Sequence, residues 1–200
     1  MKKHESNNGV NSIARIYICS PLRAATPQLV ENNRKRARLF IEKAIRNFRN
    51  VAGNGEHQQI RAFAPHAYIS YMLDDSYPCE RELALEAGLG ILNICDLIAI
   101  GGTVLSEGMI GEIKHAALVK QLPIFLLGEP DKPLDHLSRH ELCLHIGKNV
   151  FANDQATKIN ELDIYDLSSK TSDQKISCIH LTPAGGFRET CLAARDTIKT

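Results

Sequence analysis

The sequence predicts an α/β fold built on a doubly wound parallel sheet with flanking helices. The first observation is that short apolar runs alternate three times, between residues 13 and 128, with longer segments whose apolar residues recur at helical spacing. The second is that glycine, proline or serine follows the apolar runs, as expected where buried strands end. Strands that alternate with helices in this way run parallel and are joined by crossover helices.

The predicted elements follow one another without long gaps up to residue 128. Strands are expected over residues 13–19, 60–66, 95–102 and 122–128, because these runs are rich in β-branched and apolar residues. The second strand is expected to end at Pro65-His66. Helices are expected over residues 27–49, 79–93 and 106–121. The first of these carries a long apolar stripe: Leu29, Val30, Ala37, Phe40, Ile41, Ala44, Ile45 and Phe48.

The pattern weakens after Pro133. A helix is expected over His136 to Ile146, short strands over residues 161–167 and 175–181, and a final amphipathic helix over residues 186–199. We therefore divide the chain into a disordered lead-in (1–12), an α/β domain (13–128) and a C-terminal extension packed on the same domain (129–200).

Composition excludes several classes of function. The net charge of +1 disfavours nucleic acid as the main partner. No apolar run reaches the roughly 18 residues that a membrane helix needs, and the polar N-terminus lacks the apolar core of a signal peptide, so we expect a cytoplasmic protein. The six cysteines are scattered, which favours reduced thiols. His136, His140, Cys143 and His145 lack a standard zinc spacing, and we expect no metal.

The segment SEGMIGE, residues 106–112, places two glycines in the first turns of a predicted helix, although each costs about 1 kcal/mol relative to alanine. Ser106 is suited to cap this helix, and a helix start behind a strand end binds anions. Gly108 and Glu112 share a helix face, so the missing side chain leaves room above the carboxylate. Two interpretations remain: a sugar-sized ligand above a nucleophilic Glu112, or close helix–sheet packing with Glu112 exposed.

The chain also carries a succession of short motifs between residues 14 and 128. They are IYICSPLRA, an asparagine-containing long helix, APHAY, LDD, ERELALEAGLGIL, CDLIAIGG, SEGMIGEIKHA and LPIFLL. In order and spacing these motifs resemble the nucleoside 2-deoxyribosyltransferase-like superfamily, which includes N-glycosidases of deoxynucleoside monophosphates. They look closest to a bacterial and phage branch of it. The resemblance implies a Rossmann- or flavodoxin-like sheet and does not extend to residues 129–200.

The resemblance also implies roles for individual residues. Glu112 matches the carboxylate that attacks the anomeric carbon and forms a glycosyl-enzyme, and Tyr17 matches a tyrosine near that nucleophile. Ser106 matches a residue that binds a 5′-phosphate or a sugar 5′-hydroxyl. The expected binding residues are Ser20, Pro21, Leu22, Arg23, Arg81, Gly101, Gly102, Ser106, Gly108 and Met109.

One departure from the superfamily concerns the proton donor. These enzymes usually carry an aspartate that protonates the departing base, and here Gly88 occupies that position. A base leaves poorly unless it is protonated or hydrogen-bonded. The candidate replacements are His66, which titrates near neutrality, and the carboxylates Asp75, Glu80 and Glu82.

The sequence therefore predicts an enzyme that cleaves or transfers the N-glycosidic bond of a nucleoside or nucleoside 5′-monophosphate. No metal or organic cofactor is expected. The expected partners are the small-molecule substrate and further copies of the chain, in a homodimer or larger homo-oligomer, with neither nucleic acid nor membrane. The alternative is a nucleotide-binding sensor that keeps the pocket but does not turn over its ligand. A third hypothesis is an assembly protein that keeps only the fold as a scaffold.

Overall fold

The protein is an α/β structure in which helices flank a sheet, as the sequence predicts. The sheet is mixed and not wholly parallel, because its last two strand pairs are antiparallel. The structure is a computed structural model, and it describes residues 13–52, 59–74, 76–152, 159–169, 176–184 and 186–192. The expected lead-in, residues 1–12, lies outside the described residues. Within them, no helix has both the length and the apolar composition that crossing a membrane requires.

Strands and helices alternate along most of the chain. The strands are β1 (Ile13–Cys19), β2 (Gln59–Phe63), β3 (Leu97–Gly101), β4 (Ile124–Gly128), β5 (Leu162–Asp166), β6 (Ile176–Leu181) and β7 (Phe187–Leu192). The helices are α1 (Pro27–Ala52), α2 (His66–Ile69), α3 (Pro78–Asn93), α4 (Glu107–Lys114) and α5 (His136–Phe151). A π-helical segment, His115–Lys120, continues α4.

The seven strands form one sheet in the order β2-β1-β3-β4-β5-β6-β7. The pairs from β2 to β5 are parallel, whereas β5–β6 and β6–β7 are antiparallel. The chain moves from β1 to β2 on one side and then returns to β3 on the other. The carboxyl ends of β1 and β3 therefore flank the point where the strand order reverses, where sheets of this kind open a crevice.

Two apolar cores lie on opposite faces of the sheet, because successive strand residues point to opposite sides. Ile16 and Ile18 of β1 belong to the core that contains the apolar stripe of α1. Tyr17 and Cys19 belong to the other core, which includes residues of α3, α4 and α5. This alternation directs the Tyr17 side chain toward the helix that carries Glu112.

Two predicted elements differ from the structure. The second strand ends at Phe63, and Pro65 starts the helical turn α2, in which the Ala67 N–H donates to the Ala64 carbonyl at 3.0 Å. Proline has no N–H for a strand ladder but tolerates a helix start.

The predicted final helix is wrong for residues 187–192, which form β7 along the antiparallel strand β6. The Thr182 N–H donates to the Gly186 carbonyl at 3.2 Å and closes the turn between the two strands. Pairing with β6 is a contact of the tertiary fold, and it overrides the local helical pattern. The rest of that predicted helix lies outside the described residues.

Candidate functional site

A pocket opens beside the carboxyl end of β1, between α2, α3 and α4. Its cavity measures about 140 Å³, which is room for a single ring-sized group. The lining combines apolar side chains of α2 and α3 with polar groups of the loop after β1 and of α4. The lining residues are Tyr17, Ser20, Leu22, Arg23, Pro65, His66, Ile69, Ser70, Leu73, Arg81, Ala84, Leu85, Gly88, Ser106, Glu107, Gly108, Met109 and Glu112.

The Tyr17–Glu112 pair joins the sheet to α4 at this pocket. The Tyr17 hydroxyl donates a hydrogen bond to Oε1 of Glu112 at 2.8 Å. Tyr17 is fully buried within the core, so its ring cannot turn freely away from the carboxylate. Burial and the neighbouring Glu112 charge raise the pKa of Tyr17 well above its ordinary value, which keeps the phenol neutral and able to donate.

The Glu112 carboxyl group titrates near neutral pH. Burial raises its pKa from 4.5 to about 7, and hydrogen bonds from Tyr17 and Cys19 act in the opposite direction. A raised pKa in a pocket is typical of a group that takes part in chemistry, although buried structural carboxyls also show it. Above pH 7 the group is mainly ionised and can act as a nucleophile or a base.

The start of α4 forms the wall next to Glu112. Ser106 caps the helix, and its hydroxyl accepts a hydrogen bond from the Met109 N–H at 3.4 Å. A Cβ atom added at Gly108 would meet nothing within 4 Å, so the space above this turn is open. The same holds at Gly111, which does not line the pocket. The open space at Gly108 agrees with the first of the two interpretations of SEGMIGE.

Ser20 and His66 form a second polar pair in the pocket. The Ser20 hydroxyl lies 2.9 Å from Nε2 of His66. Burial lowers the pKa of His66 from 6.5 to about 4, so the imidazole is neutral near pH 7. A neutral imidazole is a poor proton donor, which disfavours the acid role that its ordinary pKa suggested. It can still orient the Ser20 hydroxyl.

Gly88 faces the Tyr17–Glu112 pair from α3. A Cβ atom added there would lie 3.3 Å from the Tyr17 hydroxyl and 3.9 Å from Oε1 of Glu112. A side chain at position 88 would thus point at the Glu112 carboxylate. Gly88 leaves room for a ligand group against both side chains.

Comparison with known proteins assigns the chain to a family without assigning a function. A family model described as a domain of unknown function, DUF7768, matches residues 14–125, which is more than half of the chain. The chain belongs to the DUF7768 family. No curated protein and no solved structure matches it. Every residue of the pocket lies between positions 17 and 112, so the pocket belongs to the DUF7768 region and not to the C-terminal strands.

Most of the binding residues predicted from sequence line this one pocket of the DUF7768 domain. They are Ser20, Leu22, Arg23, Arg81, Ser106, Gly108 and Met109. Pro21, Gly101 and Gly102 do not line it. A Cβ atom at Gly101 would lie 2.7 Å from the Phe40 ring, and Gly102 has a φ of 93°, which side chains rarely adopt. These two glycines are explained by packing against α1 and by the turn after β3.

The predicted proton donors are mostly absent from the pocket. Glu80 accepts a hydrogen bond from the Asp74 N–H at 2.6 Å and lines a neighbouring groove, and Glu82 lines neither cavity. Asp75 lies outside the described residues. The carboxylate that sequence reasoning missed is Glu107, which lines the pocket one residue after the helix cap. Its position in the first turn of the helix that carries Glu112 could have indicated that it lines the same pocket.

Potential metal ligands do not converge in the pocket among the residues that the structure describes. The group of such side chains that does converge lies on β5 and β6. It includes none of His136, His140, Cys143 and His145. The chemistry available in the pocket is therefore that of two carboxyl groups, a phenol, hydroxyls, a neutral imidazole and two guanidinium groups.

Proposed function

We propose that this protein cleaves or transfers the N-glycosidic bond of a nucleoside or nucleoside 5′-monophosphate through a covalent glycosyl-enzyme on Glu112. The observation that carries the proposal is the Tyr17–Glu112 hydrogen bond of 2.8 Å at the wall of a small-molecule pocket. The motif resemblance to nucleoside 2-deoxyribosyltransferase-like proteins supports the choice of substrate. The strand order β2-β1-β3-β4-β5 and the helices on both faces support a doubly wound, Rossmann- or flavodoxin-like sheet.

The reaction has two steps at the anomeric carbon. One oxygen of the Glu112 carboxylate forms a bond to C1′, the C1′–N bond breaks, and the base leaves with its electron pair. Water or a second base then forms a bond to C1′ and gives up its proton to Glu107, the bond between C1′ and the Glu112 oxygen breaks, and the Glu112 carboxylate is restored. Two such displacements divide one difficult substitution into two easier ones.

Tyr17 would position the nucleophile. Its hydrogen bond to Oε1 leaves Oε2 available to attack, and it lowers the pKa of Glu112 against the effect of burial. At neutral pH a large share of the carboxylate is then ionised. The hydroxyl is held by the core of the sheet, so this orientation costs little when substrate binds.

The sugar and the phosphate would occupy opposite parts of the pocket. The open turn at Gly108 accommodates a sugar ring beside Glu112. The Ser106 hydroxyl and the N-terminus of α4 favour an anionic 5′-phosphate. Arg23 and Arg81 line the same pocket and are suited to contact that phosphate. No metal or organic cofactor is needed for this chemistry.

Glu107 would act as the general base that takes a proton from the attacking group in the second step, and the departing base takes its proton from solvent. Glu107 is the second carboxyl group of the lining among the described residues. A second carboxyl group that activates water in this step is the usual arrangement in retaining glycosyl transfer.

The test is a substrate panel. Ribo- and deoxyribonucleosides and their 5′-monophosphates are incubated with the protein, with and without a second base, and free base is measured by chromatography. Release by the wild type and its loss in Glu112→Ala would support the proposal. No release from any substrate, with or without an acceptor base, would overturn it.

A second candidate function is a nucleotide sensor without turnover. Gly88 favours it, because the superfamily's usual acid is missing at a position that faces Glu112. Calorimetric titration with the same panel distinguishes the two. A sensor binds a nucleotide with micromolar or tighter affinity and returns it intact, whereas the enzyme consumes it.

We also propose a cytoplasmic homodimer or larger homo-oligomer. Several large side chains between positions 68 and 83 are exposed: Tyr68, Tyr71, Met72, Tyr77 and Leu83. We expect them to form the contact between copies. Sedimentation of the purified protein tests this, and a monomer at all concentrations would contradict it.

A further inference from the structure

A cluster of four potential metal ligands lies in the half of the sheet that is away from the pocket. Asp163 lies on β5, Glu161 directly precedes that strand, and Cys178 and His180 lie on β6. Alternate residues of a strand project to one face, and the antiparallel pairing sets Asp163 opposite His180. We refer to these four residues as the β5–β6 cluster. It lies outside the region that the family model matches.

The donor atoms of the β5–β6 cluster are close together. Nδ1 of His180 lies 2.7 Å from Oδ1 of Asp163 and 2.8 Å from Oε1 of Glu161. Sγ of Cys178 lies 3.8 Å from the same Asp163 oxygen. The ligand atoms of Asp163, Cys178 and His180 all lie within 4.8 Å of one another.

The Nδ1 atom of His180 also favours a cation at this cluster. It is enclosed and has no hydrogen-bond partner, although two carboxylate oxygens lie within 3 Å of it. A cation shared among this nitrogen and the two carboxylate oxygens would satisfy all three atoms.

We propose that the β5–β6 cluster binds a divalent transition metal, with zinc as the best fit. The sulfur of Cys178, the Nδ1 atom of His180 and an oxygen of Asp163 are three ligands of the types that zinc binds. Glu161, which lies next to His180, can supply the fourth ligand. Donors around tetrahedral zinc lie about 3.3 to 3.6 Å apart, given the usual bond lengths. The carboxylates of Glu161 and Asp163 are about half exposed, so shifts of roughly half an ångström are open to them.

The site has an inner and an outer side. Cys178 is fully buried, His180 is 22% exposed, and the two carboxylates reach solvent. A metal ion can therefore enter past Glu161 and Asp163, and the Cys178 thiol releases its proton to solvent as Sγ binds the metal. The bound metal would join β6 to β5 at the point where the sheet changes from parallel to antiparallel pairing.

The experiment is a cobalt titration of the full-length protein. Cobalt(II) bound tetrahedrally through a thiolate gives visible bands and a thiolate-to-cobalt charge-transfer band, and zinc should displace it. We expect these bands in the wild type and their loss in Cys178→Ser and His180→Asn. Asp163→Asn, at a half-exposed position where folding is not at risk, should weaken binding by more than the roughly 10- to 100-fold that loss of an outer-shell partner costs.

Two control variants separate this site from other thiols and imidazoles. Cys79→Ser changes an exposed cysteine, and His136→Asn changes an exposed histidine on α5. Both should keep the cobalt spectrum. The proposal is overturned if the wild type gives no charge-transfer band, if that band persists in Cys178→Ser, or if Asp163→Asn binds cobalt as tightly as the wild type.

Discussion

The Tyr17 hydroxyl donates a 2.8 Å hydrogen bond to Oε1 of Glu112, although the two residues are 95 positions apart in the chain. Tyr17 lies on β1, the second strand from one edge of the sheet, and Glu112 lies on the helix after β3. The fold thus holds a carboxylate with a raised pKa against a fixed donor, beside an open turn at Gly108. The following predictions test what this arrangement does.

Tyr17→Phe removes the donor and leaves the ring in the core. We expect base release to fall roughly 100-fold, the order found when one preorganised donor is lost. The hydrogen bond lowers the pKa of Glu112, so the acid limb of the pH–rate profile should also move from about pH 7 to higher pH. Tyr68→Phe, at an exposed tyrosine outside the pocket, is the control. An unchanged acid limb in Tyr17→Phe would exclude the positioning role.

Glu112→Gln should change how stability depends on pH. The pKa of Glu112 in the folded protein is about 7, above the ordinary 4.5, so the folded state holds this proton more tightly than the unfolded state. The stability that this provides is complete below pH 4.5 and is lost as the pH rises through 7. A neutral glutamine avoids the loss.

Glu112→Gln should therefore exceed the wild type in unfolding free energy by about 1 to 3 kcal/mol near pH 8, and by much less near pH 5. Urea denaturation at the two pH values measures both differences. A difference that does not depend on pH would mean that Glu112 is not buried in its charged form.

Gly108→Val fills the space above Glu112. Gly111→Val is its matched control, since a Cβ atom meets nothing within 4 Å at either position and only Gly108 lines the pocket. The two variants should melt at similar temperatures, because both place valine in the same short helix. We expect Gly108→Val to lose nucleotide binding by calorimetry and Gly111→Val to keep it. Equal binding by both variants would place the ligand elsewhere.

Gly88→Ala puts a methyl group 3.3 Å from the Tyr17 hydroxyl, which is closer than ordinary contact. Gly90 lies on the other side of the same helix and is exposed, and a Cβ atom added there would meet nothing within 4 Å. Gly90→Ala should raise the unfolding free energy by about 1 kcal/mol through helix propensity alone. Gly88→Ala should gain less and should bind nucleotide more weakly. Matching stability and binding in the two variants would show that position 88 is remote from the ligand.

Much of the parallel part of the fold was predictable from sequence, since β3 and β4 are continuous apolar runs and α1 carries a regular apolar stripe. β1 was predicted to the residue, at Ile13–Cys19. The strand β7 was not, because its identity depends on pairing with β6 and not on its own sequence. The same pairing brings Asp163 to His180, so the β5–β6 cluster has no sequence signature of its own.

The candidate site was predictable where motifs define a position. Glu112, Ser106 and Gly108 share one helix start, and their grouping follows from helical spacing. Gly101 was assigned to the pocket from its place at a strand end, but its missing side chain makes room for Phe40 on the other face of the sheet. The face of the sheet to which the last residue of a strand points depends on sheet twist and helix packing, and these cannot be predicted from the local sequence.

The most direct measurement of the central claim is the rate of base release by Glu112→Gln, relative to the wild type, on the best substrate of the panel. Glutamine keeps the shape and can still accept the Tyr17 hydrogen bond, so the comparison isolates the nucleophile. We expect a loss of roughly 1,000-fold or more, as for removal of a covalent nucleophile. Release by Glu112→Gln within about tenfold of the wild-type rate would contradict a glycosyl-enzyme on this carboxylate.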